Sequence, residues 1–218
     1  MPIMNYVKKF SYIILLLTFT SLLLSYNSHA QTAEQYNEWG LAKASKGDWQ
    51  GAISDYTKAI ELNPHYIQFY MNRAYARNIT ENYKGVVADY TKVIELDPNL
   101  YAAYYGRALA FNKLGKYKEE IADLDVYLEH DPKSFFGFLA RGDAKMILGN
   151  YQGAIEDYTI NIELDPISAM GYRNRAVAEF KLDQIEAGCK DMTKAGELGF
   201  VLADDYLKKY CNKSESGN

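Results

Sequence analysis

The chain has 218 residues, enough for one or two domains, and 48% of them are hydrophobic and 24% charged, as in an ordinary globular protein. Its formal net charge is −4, whereas a nucleic-acid-binding protein is expected to carry a concentrated basic surface. The composition therefore argues against nucleic acid as a partner. The count of 20 tyrosines is the one unusual feature.

Residues 1–30 have the three parts of a secretory signal peptide. Two lysines give the positively charged start, an apolar run follows, and Ser28-His29-Ala30 forms a small-x-small cleavage site. The run of about 15 apolar residues is shorter than the roughly 20 that a membrane-spanning helix needs. We therefore expect an exported protein, periplasmic or secreted, with no integral membrane span after cleavage; an uncleaved anchor is the alternative.

Prolines recur every 34 residues, at Pro64, Pro98, Pro132 and Pro166. A fixed period of this size indicates stacked structural repeats rather than a single globular core. Each proline ends a helical segment, because it lacks an N–H and disfavours the helical conformation of the residue before it. Alignment on the prolines divides the chain into five segments: 33–66, 67–100, 101–134, 135–168 and 169–199.

Residue types also recur at fixed positions, counted from the first residue of each segment. Position 4 is always aromatic: Tyr36, Tyr70, Tyr104, Phe138 and Tyr172. Position 8 is always small: Gly40, Ala74, Ala108, Gly142 and Ala176. A break near position 15, with glycine in three segments, provides a turn. The pattern predicts two amphipathic helices per repeat, with large side chains at positions 4 and 24 and small ones at positions 8 and 20 where the helices approach.

This pattern resembles the tetratricopeptide repeat family, and the resemblance covers residues 33–199. It rests on the period, on the small and aromatic positions, on the Ala-Ile-x-Asp-Tyr core at 52–56 and on the closing Glu-Leu-Asp-Pro. It implies an all-α fold, a right-handed α-solenoid of five helix-turn-helix repeats. Residues 200–211 are predicted to form a C-terminal capping helix and the polar residues 212–218 a disordered tail. The apolar face of the capping helix is predicted to hold Leu202, Tyr206, Leu207 and Tyr210.

The third repeat departs from the pattern, since Glu120 stands at position 20, which is mostly small or short elsewhere. An unpaired buried carboxylate is costly, so we expect this side chain to be partly exposed or paired. The alternative is that the helix pair opens there to bind a ligand.

Opposite charges recur in register, with arginine at position 7 and aspartate at position 23. A catalytic site needs one constellation and not several copies, so we interpret the pattern as a structural ladder across neighbouring helices. If the pairs are exposed, each contributes about 0–1 kcal/mol. The members are Arg73, Arg107, Arg141 and Arg175 with Asp55, Asp89, Asp123, Asp157 and Asp191.

The remaining chemistry-bearing residues do not indicate an enzyme. Cys189 and Cys211 are the only cysteines; an oxidising compartment would permit a disulfide between them, and two independent buried thiols are the alternative. The histidines lie too far apart to suggest a metal site or an activated nucleophile. No phosphate-binding loop, dinucleotide-binding glycine motif or nucleophile elbow is present. The sequence therefore predicts no catalytic residue, no metal and no cofactor.

In tetratricopeptide repeats the first helix of each pair lines the concave surface, and the resemblance carries this role to the matching positions here. These positions hold aromatic, methionine and amide side chains, which suit an extended peptide or a partner helix. The alternative is that several of them pack between repeats. The predicted ligand-binding residues are Gln68, Met71, Asn72, Tyr75, Tyr105, Leu109, Asn112, Phe136, Leu139, Asp143, Arg173 and Asn174.

The sequence thus predicts a non-catalytic scaffold in the cell envelope that holds a protein or peptide partner in its concave groove. Self-association through an exposed repeat face, which would make the protein a structural homo-oligomer in an envelope complex, is the alternative.

Cleavage after Ala30 should leave Gln31 as the first residue of the mature protein. The intact mass of the protein recovered from producing cells tests this prediction. A mass that lacks residues 1–30 is expected, and a mass that retains them would contradict cleavage.

Overall fold

The computed structural model describes residues 31–211, so the predicted leader and the predicted disordered tail lie outside the described residues. Within this range the backbone forms helices and no strand, and none of the helices has the length and apolarity needed to cross a membrane. The described residues fall into two compact units that divide between Phe69 and Tyr70. The helices are α1 (Ala33–Ala44), α2 (Trp49–Leu62), α3 (Ile67–Ile79), α4 (Tyr83–Leu96), α5 (Tyr101–Lys113), α6 (Tyr117–His130), α7 (Phe135–Ile147), α8 (Tyr151–Leu164), α9 (Ala169–Lys181), α10 (Ile185–Glu197) and α11 (Ala203–Tyr210).

Consecutive helices form hairpins, as the repeat pattern predicts. In the first unit α1 packs against α2. In the second unit α5 packs against α6, α7 against α8 and α9 against α10, and each of these hairpins also packs against the helix before it. The prediction of an all-α fold built from helical repeats is therefore confirmed.

The turn inside each repeat depends on a left-handed residue at position 15. Glycine takes this conformation in three repeats, with φ of 79°, 70° and 79° at Gly47, Gly115 and Gly149. Glu81 and Asp183 take it in the other two, with φ of 57° and 60°. A side chain in this conformation costs about 1–2 kcal/mol, so the packing of the two helices fixes the turn where the sequence offers no glycine.

The capping helix was predicted to begin at Phe200, and this boundary is wrong: α11 begins at Ala203. The chain turns first, because Gly199 has a φ of 99° and the Phe200 N–H donates back to the Ala195 carbonyl at 2.9 Å. Ala203 lies one period after Ala169, so α11 takes the place that the first helix of a sixth repeat would have.

Packing at the end of the second unit holds α11 in place. Ala203 is buried with Met192 in a cluster that Tyr206 and Leu207 cover, whereas Leu202, predicted to lie on the apolar face, is 55% exposed. The Tyr210 ring stacks on another aromatic ring at 4.4 Å between centroids. A disulfide joins Cys189 in α10 to Cys211 directly after α11, with 5.9 Å between the Cα atoms.

Small residues at position 8 lie under the aromatic rings of position 24. A Cβ atom on Gly40 would lie 2.5 Å from the Tyr56 ring, and one on Gly142 would lie 2.6 Å from the Tyr158 ring. Ala108 holds the same position in the third repeat and is fully buried. The side-chain volume at position 8 is therefore limited by the neighbouring helix.

The charged ladder forms, but its aspartates are buried and not exposed. In the second unit each arginine at position 7 bonds the aspartate at position 23 of its own repeat, and its guanidinium lies over the aromatic ring at position 4. Because these aspartates are removed from water, breaking one of the pairs should cost more stability than the about 0–1 kcal/mol that an exposed pair contributes. The pairs and their N–O distances are Arg73–Asp89 2.6 Å, Arg107–Asp123 2.8 Å, Arg141–Asp157 2.6 Å and Arg175–Asp191 2.5 Å.

Three of these arginines also reach the preceding repeat, at its position 25. Arg141 Nη1 lies 2.7 Å from Asp125 Oδ1. The same nitrogen of Arg107 donates to Thr91 Oγ1 at 3.1 Å, and that of Arg175 donates to Thr159 Oγ1 at 3.0 Å. One side chain therefore connects the two helices of a hairpin to the hairpin before it.

Glu120 is paired, as one of the expected outcomes had it, but it is not partly exposed. Its side chain lies between α5 and α6 with only 1% of the residue surface exposed, and Asn112 Nδ2 donates to both carboxylate oxygens, at 3.1 and 3.0 Å. Burial raises the pKa of this carboxyl to about 7, with Asn112 acting in the opposite direction and the charge of Asp143 adding to the rise.

Ala108→Leu should overpack the third repeat and lower the free energy of unfolding by about 1–3 kcal/mol, because α5 has no space for the larger side chain. Ala102→Leu on the exposed side of the same helix is the matched control and should change stability little. Urea unfolding of both variants gives the measurement, and equal midpoints would contradict the packing at position 8.

Glu120→Gln should alter how stability depends on pH. The carboxyl has its pKa raised from 4.5 to about 7 in the folded state, so the folded protein retains this proton more tightly than the unfolded chain does. The wild-type protein should therefore lose stability relative to Glu120→Gln as the pH rises across that interval. Thermal unfolding at several pH values measures the difference. Glu119→Gln, an exposed neighbour, should follow the wild-type curve, and parallel curves for Glu120→Gln would contradict a raised pKa.

Candidate functional site

A cavity of about 680 Å³ opens along the first helices of the repeats in the second unit. Helices α7 and α9 form most of its walls, and the turn before α11 closes one end. We call this cavity the α7–α9 groove. Its lining is mainly apolar, with a few polar side chains among methionine and aliphatic groups. The lining residues are Asn112, Asp143, Met146, Ile147, Tyr158, Ala169, Met170, Arg173, Asn174, Val177, Leu198, Gly199 and Phe200.

Four polar side chains of the groove form one connected row across three helices. Tyr158 Oη in α8 donates to Asp143 Oδ1 in α7 at 2.8 Å. Asn174 Nδ2 in α9 donates to the same oxygen, also at 2.8 Å. Arg173 Nη1 then donates to Asn174 Oδ1 at 2.6 Å. Because each member is held by its neighbour, the row presents fixed donors and acceptors to the groove.

Burial governs the ionisation of this row. It raises the pKa of Asp143, and the hydrogen bond from Tyr158, the charge of Arg173 and the hydrogen bond from Asn174 all act against that rise. Burial also raises the pKa of Tyr158, and the adjacent carboxylate raises it further, so the phenol stays neutral and acts as a donor. These groups are arranged to accept and donate hydrogen bonds, and none of them is an activated nucleophile.

Arg173 has donor capacity that the row does not use. Its Nε is buried and makes no hydrogen bond to any residue in the described range 31–211. Its guanidinium carbon lies 5.7 Å from the centre of the Phe200 ring, in a cation–π arrangement at the closed end of the groove. An acceptor oxygen entering beside this arginine would satisfy an N–H that is otherwise left without a partner.

The structure brings together four of the twelve predicted ligand-binding residues, since Asn112, Asp143, Arg173 and Asn174 all line the groove. The other eight lie on first helices but outside the lining. The exposed ones are Gln68, Tyr75, Leu109 and Phe136. The half-buried ones are Met71, Asn72, Tyr105 and Leu139.

Two of the half-buried residues contribute to packing, which was the alternative to ligand contact. The Tyr105 ring lies 4.9 Å from the Tyr127 ring. Leu139 packs against the buried cluster that contains Ala154 and Tyr158. The remaining assignments to ligand contact stay predictions.

Tyr158 was not predicted as a site residue, because the repeat pattern indicates a core position at position 24. Its ring is buried as expected, but its hydroxyl reaches the groove. Asp143 at position 9 of the same repeat could have indicated this, since a carboxylate there needs a donor from the facing helix. Phe200 was also missed as a wall residue, because it was assigned to the capping helix and not to the turn before it.

Comparison with known proteins supports the repeat assignment. Family models described as "TPR repeat" and "Tetratricopeptide repeat" match residues 40–78 and 80–135. An uncharacterised protein of Methanocaldococcus jannaschii is 37% identical over 57 residues, which span 26% of this chain and 66% of that protein, slightly less than two thirds of its length.

Solved structures with the same fold cover most of the chain. The crystal structure of MamA superposes with a TM-score of 0.73 at 21% identity, covering 82% of this chain and 94% of that chain. YrrB, described as a TPR protein with an unusual peptide-binding site, superposes with a TM-score of 0.75 at 18% identity, covering 86% and 97%. At these identities the likeness concerns the fold alone. Residues 40–78 and 80–135 therefore match tetratricopeptide repeats, and the solved structures share the fold over most of the chain.

Proposed function

We propose that this protein is a non-catalytic scaffold that binds an extended peptide or a helical segment of a partner protein in the α7–α9 groove. The observation that carries the proposal is a mainly apolar cavity of about 680 Å³ with one fixed row of polar groups in it. Cavities of this size and character are typical of binding sites, in which apolar walls provide affinity and a few polar groups set orientation.

The apolar walls suit a large aliphatic or aromatic side chain. Met146, Met170 and Val177 line them, and methionine adapts its shape to different partners because it is unbranched and polarisable. A side chain of the ligand that enters between α7 and α9 would replace water at these surfaces. This burial would supply most of the binding free energy.

The polar row suits the backbone of the same ligand. The unsatisfied Nε–H of Arg173 would donate to a carbonyl or carboxylate oxygen of the ligand. Asp143 would accept from an N–H donor of the ligand. A ligand with both kinds of group at regular spacing is a polypeptide in extended or helical form.

The peptide-binding site named for YrrB is a property of that protein, and it supports the proposal because the two chains share a fold. We further propose that the chain acts in the cell envelope after export. The signal-peptide pattern of residues 1–30 supports this location, and the disulfide between Cys189 and Cys211 is of the kind that persists in oxidising compartments.

Self-association is a second candidate, which the exposed apolar residues before α11 favour. Val201 is 91% exposed and Leu202 is 55% exposed at the end of the repeat array. A second copy could cover them. Sedimentation of the purified protein over a range of concentrations separates the two candidates, because self-association predicts a mass that rises with concentration.

A substitution in the groove should abolish partner capture. Met170→Glu places a charge at the apolar wall, and Met170 is 58% exposed, so folding should be preserved. Ile167→Glu is the matched control, because Ile167 is an exposed apolar residue in the turn before α9 that lies outside the groove lining. In a crosslinking pull-down from envelope extract, we expect Met170→Glu to reduce recovery of the partner by about tenfold or more and Ile167→Glu to leave it unchanged. Equal recovery by the wild-type protein and Met170→Glu would contradict the groove as the binding surface.

A further inference from the structure

A cation at position 11 supports the buried aspartate at position 23 in three of the five repeats. The supporting nitrogen lies 2.7 Å from a carboxylate oxygen in each of these pairs: Lys43–Asp55, Arg77–Asp89 and Lys145–Asp157. The third repeat has Phe111 at this position and the fifth has Glu179. The fifth repeat therefore has an additional carboxylate where three other repeats have a positive charge.

Glu179 is buried without sufficient hydrogen-bond partners. Only 7% of its residue surface is exposed, and its Oε2 makes no hydrogen bond within residues 31–211. The nearest arginine is already engaged: Arg175 donates through Nε and Nη2 to Asp191 and through Nη1 to Thr159. The pKa of Glu179 is raised to about 7, first by burial and then by the charge of Asp191, while Arg175 acts against the rise. One oxygen of this buried carboxylate is therefore an acceptor without a hydrogen-bond partner in the described range.

A second cavity, also of about 680 Å³, lies beside this carboxylate between α9 and α10. We call it the α9–α10 cleft. It shares no lining residue with the α7–α9 groove, and the helical period places its α9 residues on the opposite face of that helix. The cleft is lined by Tyr172, Arg175, Glu179, Ala187, Lys190, Asp191, Thr193, Lys194 and Glu197.

The cleft lining carries three cations and three carboxylates, so its preference for a cationic occupant rests on the buried, unpartnered Oε2 of Glu179. Lys194 is already paired with Glu197, at 2.8 Å between Nζ and Oε2. All three nitrogens of Arg175 are engaged with Asp191 and Thr159, and Glu179 Oε2 has no partner within residues 31–211. A positive group that enters here would take the place that lysine or arginine holds at position 11 in three other repeats.

We propose that the α9–α10 cleft binds a basic side chain of a partner protein, a lysine ammonium or an arginine guanidinium, at Glu179 and Asp191. The bound cation would donate hydrogen bonds to Glu179 Oε2, the oxygen that has no partner in the described range. The site is independent of the α7–α9 groove, so either site can fail its test without affecting the other.

The site can be tested with small cations that reproduce the two side chains. The full-length protein, with its glutamate side-chain carboxyl carbons labelled, is titrated with n-butylammonium chloride and with methylguanidinium chloride at pH 8, where Glu179 is ionised. Sodium chloride at the same ionic strength is the control. We expect a saturating shift of the Glu179 carboxyl signal with one or both organic cations. We also expect a lower pKa for this group in their presence, because a cation that binds the ionised form stabilises it.

Variants assign that response to the cleft. Glu179→Gln should weaken the saturable binding by about tenfold or more, as followed at the backbone amides of Ala187 and Asp191. Glu186→Gln, an exposed glutamate of α10 outside the cleft lining, should leave binding unchanged. Circular dichroism checks that both variants fold. If Glu179→Gln does not fold, the titration of the wild-type protein decides the test.

Three outcomes would overturn the proposal. The first is a linear response of the wild-type protein that sodium reproduces. The second is unchanged binding in a folded Glu179→Gln variant. The third is saturable binding of the organic cations by a Lys190→Gln variant but not by the wild-type protein, because Lys190 of the cleft lining would then be the group that occupies the site.

Discussion

The second unit depends on the arginine at position 7, whose half-buried guanidinium connects three helices. Arg141 shows the arrangement most completely, because it bonds Asp157 in α8 at 2.6 Å and Asp125 in α6 at 2.7 Å. Both partners lie 16 residues away along the chain, one after the arginine and one before it. Loss of one partner from a buried ion pair costs about 3–5 kcal/mol, because the other charge stays out of water.

This geometry explains why the period of the sequence does not vary. An added residue in the turn inside a repeat would move the aspartate of position 23 away from the arginine. An added residue at the proline turn would move position 25 of the preceding repeat in the same way. The repeat length is therefore held by ion pairing as well as by the packing of aromatic rings over small residues. At the end of the described range a disulfide from Cys189 to Cys211 holds α11.

The residues that depart from the repeat pattern are the ones that form the candidate sites, whereas the residues that follow it hold the helices together. Asp143 is the acidic group at position 9, and it organises the polar row of the groove. Glu179 replaces a cation at position 11, and it leaves a buried carboxylate beside a cleft. Glu120 replaces a small residue at position 20, and Asn112 donates hydrogen bonds to its carboxylate. A regular array provides the frame, and single departures from it provide candidate sites.

The sequence predicted the repeats well, because prolines, small residues and aromatic residues act locally or through fixed spacing. A turn near position 15 was predicted in every repeat, but glycine marks it in only three, since Glu81 and Asp183 take the left-handed conformation through packing and not through preference. The period places the start of α11 at Ala203, but the helix was predicted to begin at Phe200 because that residue is apolar. The burial of the aspartates at position 23 and the hydrogen bond of the Tyr158 hydroxyl were not predicted. Both depend on how two helices face each other, which cannot be inferred from the sequence of either helix alone.

Site-specific photo-crosslinking tests the central proposal, a partner bound in the α7–α9 groove, most directly. A photoreactive phenylalanine analogue at Met146 in the groove is compared with one at Glu156, an exposed position of α8 outside the lining. Irradiation in producing cells is expected to yield a defined adduct from the Met146 position and none from the Glu156 position. The same adduct in equal yield from both positions, or from the Glu156 position alone, would contradict binding in the groove.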